Sequence, residues 1–274
     1  MERRTYLRGL GGVGIGGLAG CLDELGAGDE SNPETEHWGD GETILDPPSE
    51  ERGSTIHPIH GDEFPPFTLP DPLSDESVSL EDFVDERTFL MTYFFTACPD
   101  GACPALLLRL RRAQEDAIQE GYEDDIALLA MTFDPERDTP DVLESYAVER
   151  SIDYEADNWH FLRPESYEEG ETLLDETFGM PIQRVEDPED HEFEDEHDHG
   201  GDEESGDDHG DHDDEDQNGH ADHDHGEYTF VHYNLIVLVN DQGVVERAYP
   251  NAVEQREEVS IETIVSDART VAQE

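Results

Sequence analysis

The chain has 274 residues, with 73 Asp and Glu against 15 Lys and Arg, for a formal net charge of −58. All 15 basic residues are Arg. A field of this sign repels phosphate backbones and anionic lipid surfaces, which excludes nucleic-acid binding and attachment through a basic patch and leaves cations, metals or neutral surfaces as partners. Hydrophobic residues still make up 34% of the chain, so the acidity suits a protein folded in strong salt, where a Debye length of roughly 3 Å screens self-repulsion.

The first elements are processing signals. Arg3-Arg4, an apolar Gly-rich run from Gly9 to Gly20 and then Cys21 look like a twin-arginine export signal ending in a lipobox over residues 1–20. The apolar run is too short to span a hydrocarbon core, which needs roughly 20 residues. The expectation is export of a folded protein, lipid attachment at Cys21 and residence on the extracytoplasmic face of the membrane. Residues 21–61, rich in Gly, Asp, Glu, Ser and Pro, read as a disordered acidic tether.

From residue 62 to 274 apolar runs alternate with helical periodicity. The pattern predicts a buried strand at 88–95, a helix at 104–120 stopped by Gly121, and a second buried strand at 126–133. A helix at 141–150 after Asp138-Thr139-Pro140, a short strand at 159–162 and a helix at 165–178 follow. Two strands, 234–240 and 244–249, make a hairpin around Asp241-Gln242-Gly243. A helix from about 253 to 271 closes the chain. Residues 186–227 interrupt this order with 22 acids, no Arg and almost nothing to bury, and read as a disordered low-complexity insert. The result is one α/β domain with a central mixed sheet flanked by helices, of the thioredoxin-like kind. Tyr93, Phe94, Phe95 and Trp159 are its expected core aromatics.

Three Cys is an odd number for an exported chain. With Cys21 lipidated, one close pair remains, Cys98 and Cys103. Such a pair is a disulfide, a redox couple or a metal site. Its place between a buried strand and the start of a helix favours thiolate at Cys103, near the helix N-terminus. Thiolate is both the nucleophile of disulfide exchange and a soft ligand for Cu(I).

Three separated motifs then carry a family resemblance: Cys98-Pro99-Asp100 with Cys103-Pro104, Asp134-Pro135-Glu136-Arg137-Asp138-Thr139-Pro140, and Tyr228-Thr229-Phe230-Val231-His232 before a strand. Together they resemble the Sco/SenC family of membrane-tethered thioredoxin-like copper proteins that help assemble the CuA centre of cytochrome oxidase. The resemblance spans roughly residues 64–271 and implies that Cys98, Cys103 and His232 ligate copper, as Cu(I) or Cu(II). It implies as partners the copper-binding subunit of cytochrome c oxidase, a thiol reductant and, through the lipid anchor, the membrane. This chain departs in having four residues between its cysteines where the family usually has three, and Gly101 is the residue able to absorb the extra step with φ > 0. His232 stands where thioredoxin-like reductases carry a cis-Pro against the cysteines, and two thiolates plus one imidazole suit copper. Asp134 and Asp138 are expected to serve a turn and a helix cap, with tuning of the metal site as the alternative.

The acidic insert holds eight of the 13 His: His191, His197, His199, His209, His212, His220, His223 and His225. It is read either as an auxiliary trap for Cu(II) or another divalent ion or as a solvated loop. The leading function is a copper chaperone. A thiol-disulfide oxidoreductase, with Cys98 attacking and Cys103 resolving, is the alternative, followed by a thioredoxin-like peroxidase.

Overall fold

The apolar run after Arg87 forms the middle of the molecule because every position of it can be buried. In a computed structural model, residues 38–49, 55–186, 228–254 and 256–274 are described, all within one compact unit, Glu36–Glu274. Strand β3 (Thr88–Phe94) and strand β4 (Ile126–Thr132) are buried at all seven positions each, as strands covered on both faces must be. They pair in parallel, and β5 (Trp159–Leu162) extends the sheet in parallel beyond β4. On the other side β8 (Leu235–Val239) lies antiparallel to β3 and β9 (Val245–Pro250) antiparallel to β8. The five-stranded order is β5-β4-β3-β8-β9. This is the mixed sheet expected of a thioredoxin-like fold.

Successive β3 side chains point to opposite faces. Phe89 packs on Phe64 and Phe83, and Tyr93 on Phe178. Phe94 meets Tyr146 from helix α2 (Pro140–Glu149). Helix α1 (Ala102–Glu120) buries Cys103, Leu106, Leu107, Leu110, Ala113 and Ala117, an i, i+3, i+4, i+7 stripe, and ends at Gly121 in the left-handed region. Helix α4 (Ile261–Ala272) packs beside α1, where Arg269 pairs with Asp116.

Several boundaries differ from the sequence reading. The 165–178 segment is helix α3 (Tyr167–Thr172) followed by a π turn over Leu173–Thr177. The last helix starts at Ile261, not near 253, because the Ser260 side chain accepts the Thr263 N–H at 3.1 Å and caps it there. Two hairpins escaped the pattern. One joins β1 (Thr68–Asp71) to β2 (Glu76–Ser79), and the other joins β6 (Gln183–Glu186) to β7 (Tyr228–Val231).

The expectation of a disordered tether through residue 61 is corrected. Residues 38–49 and 55–61 dock along the β8–β9 edge. The buried Glu246 carboxylate accepts the backbone N–H groups of Ile44 and Leu45 at 2.8 and 2.9 Å and the Asn240 amide at 2.7 Å. Three donors satisfy a charge that would otherwise be costly to bury. Gly39 and Gly41 donate to the carbonyls of His60 and Gly61, and a Cβ on Gly39 would lie 2.0 Å from the Gly61 carbonyl, so only glycine permits this approach. Composition missed it because the segment is held by main-chain bonds rather than by apolar side chains.

The export signal, Cys21, the tether before residue 38 and the insert from 187 to 227 with its eight His lie outside the described residues. Among the described residues no helix is long and apolar enough to cross a membrane.

Candidate metal centre

The chain leaves β3 at Phe94 and reaches α1 at Ala102, and the segment between them carries Cys98. Gly101, the last residue of this loop, adopts φ 77°, the left-handed region that glycine enters without cost. Asp100 orders the loop from inside. Its carboxylate accepts the Ala102 N–H at 2.8 Å and the Cys98 thiol at 2.9 Å. Cys103, in the first turn of α1, is fully buried, whereas Cys98 is partly exposed.

His232 arrives from another sheet. It follows β7, and the two-stranded β6–β7 hairpin is not hydrogen-bonded into the main sheet. Phe230 seats the hairpin in a cluster with Phe95 and Phe133, and the imidazole stands against the same two rings at 5.7 and 5.1 Å. Its Nδ1 lies 3.2 Å from the Tyr233 carbonyl oxygen, which is placed to accept an N–H from it. Nε2 is 3.7 Å from Cys103 Sγ. The donor atoms of Cys98, Cys103 and His232 lie within 4.8 Å of one another, the one such cluster of three or more His, Cys, Asp or Glu among the described residues.

The two sulfurs are electrostatically unlike. Hydrogen bonding from Cys103 lowers the Cys98 thiol from 9.0 to about 6, with His232 adding to it, against burial and the Asp100 carboxylate, which oppose it. The Cys103 N–H also donates to Cys98 Sγ at 3.4 Å. Burial raises Cys103 well above the ordinary thiol value, with the Cys98 sulfur adding to it. The expectation of thiolate at Cys103 is therefore corrected. The Cys103 N–H at the start of the helix points at Cys98, and burial disfavours the charged form of Cys103. The pair is asymmetric, with Cys98 the more acidic sulfur and Cys103 the less, and both are free.

The second motif is closer to the site than a turn and cap require. Thr139, not Asp138, occupies the N-cap position of α2. The fully buried Asp138 carboxylate accepts the Thr96 backbone N–H at 3.2 Å and the hydroxyls of Thr96 and Thr132. Burial raises it to about 6. Asp134, 1% exposed, pairs with Arg137 and accepts the Tyr228 hydroxyl at 2.9 Å. Thr96, Asp100, Phe133, Arg137 and Tyr228 were not singled out as site residues. Asp100, Arg137 and Tyr228 did lie within the three motifs, which was the available signal.

A family model described as SCO1/SenC matches residues 60–194. That span holds both cysteines and the 134–138 turn and ends before His232, whose place in the site rests on the geometry above. In fold the chain is similar to BsSco, described as a member of the Sco family of cytochrome c oxidase assembly proteins with a disulfide switch. The TM-score is 0.51 and the identity 22%, over 81% of this chain and 99% of that one. It is also similar to a SCO1/SenC family lipoprotein from Bacillus anthracis str. Ames, at TM-score 0.52 and 16% identity over 77% of this chain and 95% of that one. No curated protein sequence matches it.

Proposed function

The chain belongs to the SCO1/SenC family, and on that premise we propose that it binds one copper ion as cargo at Cys98, Cys103 and His232 and delivers it during cytochrome c oxidase assembly, to the CuA site of the copper-binding subunit. The observation that carries this reading is the convergence of two sulfurs and one imidazole nitrogen within 4.8 Å. Soft thiolates select Cu(I), and imidazole is compatible with either copper oxidation state.

The residues divide the work. Cys98, partly exposed and the more acidic of the two, is the first sulfur an incoming ion meets. Cys103 keeps its proton until the ion is in place, so loading releases a proton and is favoured by rising pH. His232 Nε2 supplies the neutral third donor, its ring held by Phe95 and Phe133. Three donors leave room for an incoming ligand from the acceptor, so transfer proceeds by ligand exchange at the Cys98 side. Both thiols must be reduced to load, which makes a thiol reductant part of the cycle. Attachment through Cys21 at the extracytoplasmic membrane face belongs to the same reading. The acidic composition fits work in strong salt.

A test is titration of the reduced chain with Cu(I) against a competing chelator. The expected result is one equivalent bound tightly, none after both thiols are alkylated, and affinity lowered at least tenfold in His232→Ala. Wild-type affinity in that variant would contradict the ligand set.

The asymmetry of the sulfurs favours one second reading, disulfide exchange with the acceptor's cysteines. The Cys98 thiolate would attack the target disulfide and displace one thiolate. Cys103, giving up its proton, would then attack the mixed disulfide, release the reduced target and leave a Cys98–Cys103 disulfide. Turnover of a disulfide substrate at equal rates in wild type and His232→Ala would favour it over copper delivery.

A further inference from the structure

The residues 134–138 are not among the three clustered donors, yet they are bonded to both segments that carry them. On one side the Asp138 carboxylate takes the N–H and hydroxyl of Thr96, two residues before Cys98. On the other side the Asp134 carboxylate takes the hydroxyl of Tyr228, four residues before His232, and Arg137 donates to the Tyr228 carbonyl at 2.9 Å. Arg137 also lies against the Tyr228 ring at 3.8 Å and is paired with Asp134, while Arg184 of β6 lies against the same ring at 3.5 Å and is paired with Glu136, so carboxylates, guanidinium groups and phenol tie the hairpin to the turn. The turn itself is tied at its base. The Asp138 N–H donates to the Asp134 carbonyl at 2.9 Å, and Thr132 Oγ1 accepts the Asp134 N–H while donating to the Asp138 carboxylate. Asp134 and Asp138 are 1% and 0% exposed.

Because the β6–β7 hairpin has no strand pairing to the main sheet, and His232 is joined to β8 through Tyr233 and Asn234 alone, the position of His232 relative to the cysteines depends on side chains as well as on that short link. The Phe95, Phe133 and Phe230 contacts supply adhesion, but apolar packing is non-directional and leaves the hairpin free to slide. Directional bonds are needed to fix a distance, and the Asp134–Arg137–Tyr228 set provides them.

We infer that the Asp134–Asp138 turn is a yoke that sets the separation of the metal donors, Asp138 positioning the cysteine loop through Thr96, and Asp134 with Arg137 positioning His232 through Tyr228. The inference rests on the copper reading and assigns positioning residues, not ligands. Both carboxylates are buried and directed at donors of the site-bearing segments, which a solvated turn or a helix cap would not require.

The two arms are separable by mutation. Tyr228→Phe removes one hydroxyl and keeps the ring under Arg137, and Thr96→Val removes the other arm's hydroxyl. Both are made in the full chain with and without His232→Ala, and Cu(I) affinity of the reduced protein is measured by chelator competition beside the unfolding midpoint. Supporting bonds of this kind are typically worth 10–100-fold in metal affinity. We expect Tyr228→Phe to weaken binding about tenfold in the presence of His232 and to have no effect in its absence, since the arm acts only through that ligand. Thr96→Val is expected to weaken binding in both backgrounds, since it acts on the sulfurs. In the metal-free protein, ring resonances of His232 should broaden or shift in Tyr228→Phe and stay in place in Thr96→Val. Arg137→Gln is a second variant on the same arm and should reproduce the dependence on His232. Wild-type affinity in Tyr228→Phe, or the same fold loss with and without His232, overturns the yoke. If His232→Ala itself binds copper as wild type does, the copper reading fails and the yoke with it.

Discussion

The cysteine half and the histidine half of the site are built by different means. Cys98 and Cys103 sit where a seven-residue strand buried at every position meets a 19-residue helix, so their place is set by the core. His232 extends from a strand of four residues paired with one other of four, a unit too small to be stable alone. It is held by three phenylalanines and by two Arg, a Tyr and two carboxylates. The lesson is that stability and metal affinity are separable: damage to the first half unfolds the domain, while damage to the second detunes a domain that stays folded.

The comparison is broken most sharply in the core. Phe94→Ala, at a fully buried β3 position, should cost about 3–5 kcal/mol of stability. Phe230→Ala, whose side chain faces Phe95 and Phe133 across the hairpin junction, should cost the domain less than half as much and yet weaken copper binding more per unit of stability lost. Urea unfolding and chelator competition on both variants check this. Equal destabilisation would mean that the hairpin is part of the core.

A second expectation concerns pH. Cys98 has its folded value lowered to about 6 from 9.0. Its stabilising contribution is therefore fully present above pH 9 and is lost as pH falls through 6, so stability should rise with pH between those limits. Cys103 is shifted the other way, and its effect falls above that window. Thiolate absorbance at 240 nm should titrate with a midpoint near pH 6, and Cys98→Ser should flatten both the absorbance change and the stability slope. A midpoint near 9 would contradict the asymmetry.

Gly101→Ala is a smaller perturbation. No atom lies within 4 Å of where its Cβ would stand, but φ is +77°, and the left-handed region costs a non-glycine residue roughly 1–2 kcal/mol. Loss of stability of that order, with retention of copper stoichiometry, is expected from denaturation and titration. The smallest effect should come from the insert. Glu186 and Tyr228 are register partners, so an Asn-Gly turn can replace residues 187–227. The shortened chain should keep its unfolding midpoint and one copper at the cysteines and His232. Loss of that copper would place the third donor elsewhere.

What the sequence made legible follows the same division. The strands at 88–94 and 126–132, helix α1 and the β8–β9 hairpin were readable because each is an apolar run or stripe with a clear stop. The three residues that converge at the candidate site, Cys98, Cys103 and His232, were readable from motifs. The β1–β2 and β6–β7 hairpins were not, because strands of four residues carry too little periodicity and the halves of the second are 41 residues apart, with residues 187–227 between them. The docked segment at 38–49 was hidden because Glu246 holds it by main-chain donors that composition cannot reveal. The Asp134–Asp138 motif was seen, but local turn chemistry was a sufficient explanation for it, and only the three-dimensional placement of Thr96 and Tyr228 shows the carboxylates committed to the site.

The central claim is the identity of the donors. X-ray absorption at the copper edge of the reduced chain loaded with one equivalent of Cu(I) counts them directly. The account predicts two sulfurs and one imidazole nitrogen, with the nitrogen contribution lost in His232→Ala. A shell of sulfur alone, or an imidazole signal that survives that substitution, would contradict it.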